Sequence, residues 1–310
     1  DGKNLNAYNP DSEENIWETP IPTASAASLV LNADLSVESI FSTTKKGSGF
    51  DVIPDTPFLQ KFFDNRLYII NSFDGKIIFS SDESDIFFFQ SEYLFDENAL
   101  LLRGMRGKSL VIAKYDLENK EYVWENTVSD KFGNVLSKLS AAAGNDQTGT
   151  SDKLELIDDK IFLLAKSKFY VLDNDSGDLL WSAEDNDYSG FNANQDATYV
   201  LLNESKGLFA GKSLLYLKNA KDGSSVWKDP IKTKRLVLFE DWKDKMLLAH
   251  YKGFNFYDFE TGEKLWDKDP KGKNIKSVIP QGTDFLYVYD NEMMLIDKDG
   301  QKKWKKDVKI

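Results

Sequence analysis

The sequence predicts an all-β fold, a β-propeller of four-stranded antiparallel blades with six or seven blades. Three observations predict it: a turn motif recurs at blade-length spacing, two apolar segments precede the copies, and strand-forming residues are abundant. Of the 310 residues, 41% are hydrophobic and 13% are aromatic. That composition supplies a large core and favours strands over helices.

The repeated motif is an apolar strand ending on Asp or Asn, a polar turn, and a second strand ending on an aromatic residue. The six copies are NSFDGKIIF (71–79), YDLENKEYVW (115–124), LDNDSGDLLW (172–181), KNAKDGSSVW (218–227), YDFETGEKLW (257–266) and IDKDGQKKW (296–304). Successive aromatic residues are 45, 57, 46, 39 and 38 positions apart. A period near 40 residues is typical of one four-stranded propeller blade.

A glycine lies four residues before the aromatic residue in five of the six copies. These glycines are Gly75, Gly177, Gly223, Gly262 and Gly300. The turn needs a positive φ, which glycine adopts without a Cβ clash. Lys120 has this position in the second copy, and we expect Asn119 to take the left-handed conformation there.

The aromatic residues at the ends of the copies are predicted to be structural. They are Phe79, Trp124, Trp181, Trp227, Trp266 and Trp304. A single repeat cannot bury its apolar faces alone, so large rings are expected to fill the space between neighbouring repeats. We interpret them as packing residues, not as a ligand-stacking surface.

We expect one propeller domain over residues 1–310. Residues 1–14 are predicted to be a disordered N-terminal segment, and 15–21, with Trp17, an additional strand that could close the ring. A seventh blade would need strands within 22–60, where none is recognisable. The stretches 45–57 and 140–152 read as loops, and 135–143 could hold a helical turn or two.

Composition excludes several function classes. The net charge of −12 argues against a general nucleic-acid binder, because a phosphate backbone requires a positive field. The chain has no cysteine, which rules out disulfides, thiolate zinc sites and cysteine nucleophiles. No stretch approaches 18 apolar residues, so no transmembrane segment is predicted. A start at Asp1 favours an exported protein whose signal was removed, and a cloning boundary explains it equally well.

The D-x-x-T-G-x-x-x-W pattern of Asp258, Thr261, Gly262 and Trp266 resembles the repeats of quinoprotein-type (PQQ-like) β-propellers. The resemblance covers about residues 60–310 and is nearest to the outer-membrane β-barrel assembly lipoprotein branch. It implies a non-catalytic protein-interaction scaffold in the periplasm or cell envelope. The implied partner is a protein, such as a membrane β-barrel or another envelope protein, and a lipid anchor would lie upstream of Asp1.

Two alternatives stay open, a quinone (PQQ)-dependent oxidoreductase and a surface glycan-binding propeller. The dehydrogenase branch of the resemblance implies a quinone, a calcium ion and a catalytic base, but no ligand set stands out. The acidic run 173–178 lacks the downstream glutamate of a calcium loop. His250, the only histidine, has no serine and acid nearby for a triad. We therefore predict no catalytic residue, metal site or cofactor.

Charge on the turns gives the best functional lead. Turns between the second and third strands of a unit are predicted to share one end of the propeller, and four of them carry basic residues. These are Arg103, Arg106, Lys108, Lys166, Lys168, Lys206, Lys212 and Lys252. Such an arc could bind an acidic partner. The competing interpretation is that charged turns only keep strand edges solvated.

Overall fold

A computed structural model describes residues 4–20, 26–32, 40–45, 67–71, 73–81, 84–130, 153–206, 211–242, 245–250, 252–271, 275–289 and 291–308. The chain divides into two compact units. The first comprises Asp1–Gly149 with the short segment Asp175–Asp178, and the second comprises Thr150–Asn174 with Leu179–Ile310. The expectation of a single domain stays a prediction.

The described part of the first unit forms three antiparallel sheets and one turn of 3-10 helix at Phe95–Glu97. Its strands are β1 (Asn4–Asn9), β2 (Glu14–Pro20), β3 (Ala26–Asn32), β4 (Ile40–Lys45), β5 (Leu67–Asn71), β6 (Ile77–Ser80), β7 (Phe87–Leu94), β8 (Ala99–Arg106), β9 (Ser109–Asp116) and β10 (Glu121–Ser129). Strands β3–β6 and β7–β10 are four-stranded sheets in chain order, and β1 pairs with β2 alone.

The described part of the second unit forms four antiparallel sheets, β11–β14, β15–β18, β19–β21 and β22–β25. Its strands are β11 (Lys153–Ile157), β12 (Lys160–Ala165), β13 (Lys168–Asp173), β14 (Leu179–Ala183), β15 (Tyr188–Ala193), β16 (Tyr199–Lys206), β17 (Lys212–Asn219), β18 (Ile231–Lys234), β19 (Leu236–Trp242), β20 (Lys245–His250), β21 (Gly253–Asp258), β22 (Ile275–Gln281), β23 (Asp284–Tyr289), β24 (Glu292–Ile296) and β25 (Lys302–Asp307). Four-stranded antiparallel meanders are the blades of a β-propeller, which confirms the predicted fold class.

The N-terminal region differs from the expectation. Residues Asn4–Asn9, predicted to be disordered, form β1, and Glu14–Pro20 pairs with β1. Strands β3 and β4 lie where no strand was recognised and begin the sheet that continues into β5. The predicted loops at 45–57 and 140–152 lie outside the described residues, apart from Lys45, which ends β4. The helical turns considered within 135–143 also lie outside them.

The β1–β2 hairpin is a further copy of the repeated turn. The Asn9 Oδ1 atom accepts hydrogen bonds from the backbone N–H groups of Asp11 and Ser12, at 2.9 and 3.4 Å. Glu13 donates its N–H to the Asn9 carbonyl at 2.9 Å and has φ +57°. The same bonds surround Asp258 at the Gly262 turn. The copy was missed because Glu13 stands at the glycine position.

The position four residues before the aromatic carries the positive φ in every described copy. The five glycines have φ between +71° and +79°. Lys120 itself has φ +57°, and the expectation that Asn119 would take this role is wrong. The Asp116 carboxylate accepts the N–H groups of Glu118 and Asn119 at 2.7 and 2.9 Å, which holds both before the chain reverses at Lys120.

In the second unit, the rings of Trp181, Trp227 and Trp266 each lie against the turn glycine of the next copy. A Cβ added to Gly223 would meet the Trp181 ring at 2.6 Å, one on Gly300 would meet Trp266 at 3.0 Å, and Gly262 faces Trp227. The indole N–H groups of Trp181, Trp227 and Trp266 donate to turn carbonyls at 2.8 Å. In the first unit, Trp17 contacts Gly75 and Trp124 contacts Gly177. Glycine is thus favoured twice at Gly75, Gly177, Gly223 and Gly300, for its φ and for the space that an indole fills.

Candidate functional site: a lysine-lined pocket in the second unit

Two of the three basic residues predicted as partner contacts in the first unit are held by the fold. The Arg103 side chain is buried, with 3% exposure on β8. Arg106 donates to Asp85 at 2.7 and 2.8 Å and to Glu125 at 2.6 Å. The hydrogen bond with Asp85 contributes most, and the one with Glu125 next, to raising the pKa of Arg106. Lys108 is exposed on the turn between β8 and β9, so it is the member of this group best placed to meet a partner.

The predicted basic residues of the second unit lie at or beside the turns between second and third strands. Lys166 and Lys168 lie around the β12–β13 turn, where Lys168 Nζ bonds Asp187 and the Asn186 carbonyl, both at 3.0 Å. Lys206 ends β16 opposite Lys212, the first residue of β17. Lys252 is exposed on the β20–β21 turn. Of this set, Lys212 opens onto a cavity.

The cavity has a volume of about 430 Å³ and a strongly basic lining. Its cationic residues are Lys212 on β17, Lys232 and Lys234 on β18, and Lys264 after β21. Lys212 pairs directly with Lys234, and Leu214 pairs with Lys232. Opposed residues of antiparallel strands lie on the same face, as do residues two apart. The lysines of β17 and β18 therefore share one face of the sheet.

A partly buried hydrogen-bond network forms the opposite wall around Asp269. His250 Nε2 lies 3.0 Å from Asp269 Oδ2, and His250 Nδ1 accepts the Lys252 backbone N–H at 3.1 Å. Because Nδ1 is an acceptor, Nε2 carries the ring proton and donates it to Asp269. Asn255 Nδ2 and Lys264 Nζ donate to Asp269 Oδ1 at 2.8 and 3.0 Å. His250 therefore has a structural partner.

The hydrogen bonds to Asp269 keep its carboxyl group ionised. Burial acts to raise the pKa of Asp269, but the bonds from His250, Asn255 and Lys264 outweigh it and hold the pKa well below the ordinary 3.8. Asp269 is consequently ionised at neutral pH and its two oxygens are already occupied. Its charge is matched locally by Lys264, which leaves Lys212, Lys232 and Lys234 as the net charge of the site.

Sequence reasoning missed Lys232, Lys234, Lys264 and Asp269. It placed the fourth strand of this unit at Trp227, whereas β18 begins at Ile231. The signal for β18 was present in the alternation of Ile231-Lys-Thr-Lys234, with charged residues at every second position. A strand predicted over these four residues would have placed Lys232 and Lys234 on one face of the sheet.

Within the described residues there is neither a cluster of metal-ligating side chains nor a helix that could span a membrane. Across these ranges, no group of three or more histidine or acidic side chains could hold a metal ion. The same part of the chain contains no helix with the length and hydropathy of a membrane span.

Comparison with known proteins places the chain in a family. The family model described as outer membrane protein assembly factor BamB matches residues 1–306. Among curated proteins, none matches the chain. The chain is also similar to the computationally designed Ika8 protein, with 11% identity and a TM-score of 0.47, covering 99% of this chain and 82% of the other. It is similar to BamB from Moraxella catarrhalis, with 12% identity and a TM-score of 0.44, covering 96% of this chain and 81% of the other.

The family match includes the N-terminal hairpin, so it is wider than the region of about residues 60–310 that the motif indicated. The assignment depends on the family model, since both structural similarities are weak. The resemblance to PQQ-like repeats of the assembly branch is confirmed, and the chain belongs to the outer membrane protein assembly factor BamB family.

Proposed function

We propose that this protein is a non-catalytic interaction scaffold of the cell envelope that takes part in outer membrane protein assembly. The observation that carries the proposal is the family match over residues 1–306. Rigid four-stranded sheets that present turns and edge strands suit the binding of another protein. The partner would be an envelope protein, such as a membrane β-barrel, and the protein would reside in the periplasm or at the outer membrane.

The basic residues on the second-to-third turns support a contact with an acidic partner. Lys108 and Lys252 are exposed and lie on such turns. Charge reversal at Arg103 and Arg106 makes a poorer test, because reversing a buried or ion-paired arginine would disturb the fold. Charge reversal at the exposed lysines instead addresses binding.

The test is affinity capture from membranes of the native source, with captured proteins identified by mass. We expect wild type to retain an envelope protein, and the Lys108→Glu/Lys252→Glu variant to retain less of it, with a weaker dependence on salt. The matched control is Lys221→Glu/Lys228→Glu, which makes the same change of net charge at exposed positions outside those turns. Capture of no envelope protein by wild type would contradict the scaffold. Equal loss in both variants would contradict the turn contact.

A further inference from the structure

We propose that the lysines of β17 and β18 form a docking site for an extended acidic segment of a protein partner. The segment would pair with β18 and present carboxylates at alternate positions to Lys232 and Lys234. This inference rests on the proposed function for the existence of a protein partner, and it adds the chemistry of the segment that is bound.

Like charges lie close together on one face of this sheet. Lys212 and Lys234 are directly opposite each other on neighbouring strands, and Lys232 lies two residues from Lys234 on the same face. Like charges directly opposite each other on a sheet repel. Within the described residues, none of the three has a carboxylate partner. An anion in this cavity would remove the repulsion, so the site favours an acidic ligand.

The carboxylate of Asp269 could offset the charge of these lysines, but it is already paired. Asp269 is the carboxylate that lines the cavity. It accepts hydrogen bonds from His250, Asn255 and Lys264 at 2.8 to 3.0 Å. Because its charge is already matched by Lys264, it does not neutralise Lys212, Lys232 and Lys234. Their charge remains available to a ligand.

The outer edge of the sheet offers a second kind of contact. Strand β18 is the last strand in the order β15–β16–β17–β18, and no other strand of the described ranges pairs with it, so its outer edge can accept another strand. Side chains of a paired strand alternate between faces, and opposed Cβ atoms lie about 5 Å apart. A segment with acidic residues two positions apart would place both carboxylates beside Lys232 and Lys234. Adjacent acidic residues would point to opposite faces.

The alternation gives a direct test with two synthetic peptides of identical composition. One is acetyl-Thr-Glu-Val-Glu-Thr-Gln-amide, with alternate acids, and the other is acetyl-Thr-Glu-Glu-Val-Thr-Gln-amide, with adjacent acids. Binding of each to the purified full chain is measured by calorimetry at low and moderate salt, with inorganic phosphate as a third ligand. We expect the alternate peptide to bind more tightly than its isomer, and salt to weaken its binding.

Two charge-reversal variants locate the site. We expect Lys232→Glu/Lys234→Glu to weaken binding of the alternate peptide about tenfold, the loss expected for two partly exposed charge pairs. The control Lys302→Glu/Lys306→Glu makes the same net charge change on β25, another edge strand, where both lysines are exposed. It should leave binding within about twofold, since no paired contact is removed. A thermal melt of each variant checks that the fold is kept.

The outcomes separate this inference from the proposed function. Equal affinity for the two peptides, equal loss in the two variants, or phosphate binding that displaces the peptide without preference for spacing would overturn the inference. Capture of an envelope partner from membranes would still support the scaffold in each of those cases. Conversely, selective binding of the alternate peptide supports the site even where capture fails.

Discussion

At the scale of single residues, the position four before each repeat aromatic carries a conformational cost that only glycine avoids. Glu13 and Lys120 take φ +57° there, whereas Gly223 takes φ +71°. The left-handed conformation costs a residue with a Cβ about 1–2 kcal/mol. At Gly223 a side chain would also enter the space of the Trp181 ring. The backbone cost and the steric cost can therefore be measured separately.

Gly223→Ala should destabilise the protein more than Gly282→Ala. Gly282 has φ +66° with no atom within 4 Å of an added Cβ, so its substitution should cost only the backbone term of about 1–2 kcal/mol. Gly223→Ala adds contact with an indole at 2.6 Å, for a further loss of about 1–3 kcal/mol. Urea unfolding of both variants compares the free energies. Equal losses would show that the indole moves aside freely.

Asp269 should make stability depend on pH in the acid range. Its pKa is lowered by folding, so its contribution to stability is present above the unfolded pKa of about 3.9 and is lost as pH falls below it. Asp269→Asn should cost about 1–3 kcal/mol at neutral pH, because charged hydrogen bonds are lost. The difference from wild type should shrink below about pH 4. Unfolding curves across this pH range test it, with Asp267→Asn at an exposed position as the control.

At the scale of the element, β18 combines a short edge strand with an unfavourable pair of charges. Its four residues alternate between half-buried and exposed, and its two lysines lie on the exposed positions. Edge strands commonly carry lysine, because charge prevents pairing with other copies of the chain. Here the same lysines also define which partner the edge can accept. Protection against aggregation and selectivity for acidic segments thus come from one feature.

Lys234→Glu should stabilise the protein in the absence of any partner. The substitution would turn the direct Lys212–Lys234 repulsion into attraction, worth about 0.2–1 kcal/mol for an opposed pair. A double-mutant cycle with Lys212→Gln isolates the pairwise part of the change in the free energy of unfolding. The gain should decline with added salt. A loss of stability in Lys234→Glu at low salt would show that the two side chains do not interact as the register places them.

At the scale of the whole molecule, repetition made much of the fold predictable. A glycine and an aromatic four residues apart, recurring every 38–57 positions, indicated the turns and the four-stranded sheets. The hairpin at Asn4–Pro20 was missed because Glu13 occupies the glycine position, although Asn9 and Trp17 keep their spacing. The copy at 115–124 also lacks the glycine, but the apolar strand before it was recognisable, whereas residues 1–14 were predicted to be disordered.

The candidate site was predictable only in part, because it combines residues from elements that the repeat does not relate. Lys212 was expected from the charge on the turns. Lys232 and Lys234 required the start of β18, which lies after the aromatic of its unit. The Asp269–His250 contact joins the end of β20 to the irregular segment after β21, 19 positions along the chain. A local pattern in a single sequence contains no signal for such a contact.

Tryptophans at equivalent repeat positions are expected to contribute unequally to stability, because their contacts differ. In repeat proteins, stability is approximately the sum of the intrinsic stability of each repeat and the contacts between neighbours. Trp266 has 6% exposure and packs against Phe254, Phe256 and Phe285, and its ring faces the next turn. Trp304 on β25 has 41% exposure. The same residue at the same repeat position thus has different contacts.

Trp266→Ala should cost about 3–5 kcal/mol, as for a buried aromatic side chain, because it removes both the aromatic contacts and the hydrogen bond to the Lys298 carbonyl. Trp304→Ala should cost about 1 kcal/mol, the typical loss for a point substitution. Trp266→Phe keeps a ring but no N–H donor, so its loss should fall between the two. Chemical denaturation of the three variants measures these differences. Equal losses at Trp266 and Trp304 would mean that contacts with the following turn do not determine the contribution of a repeat tryptophan.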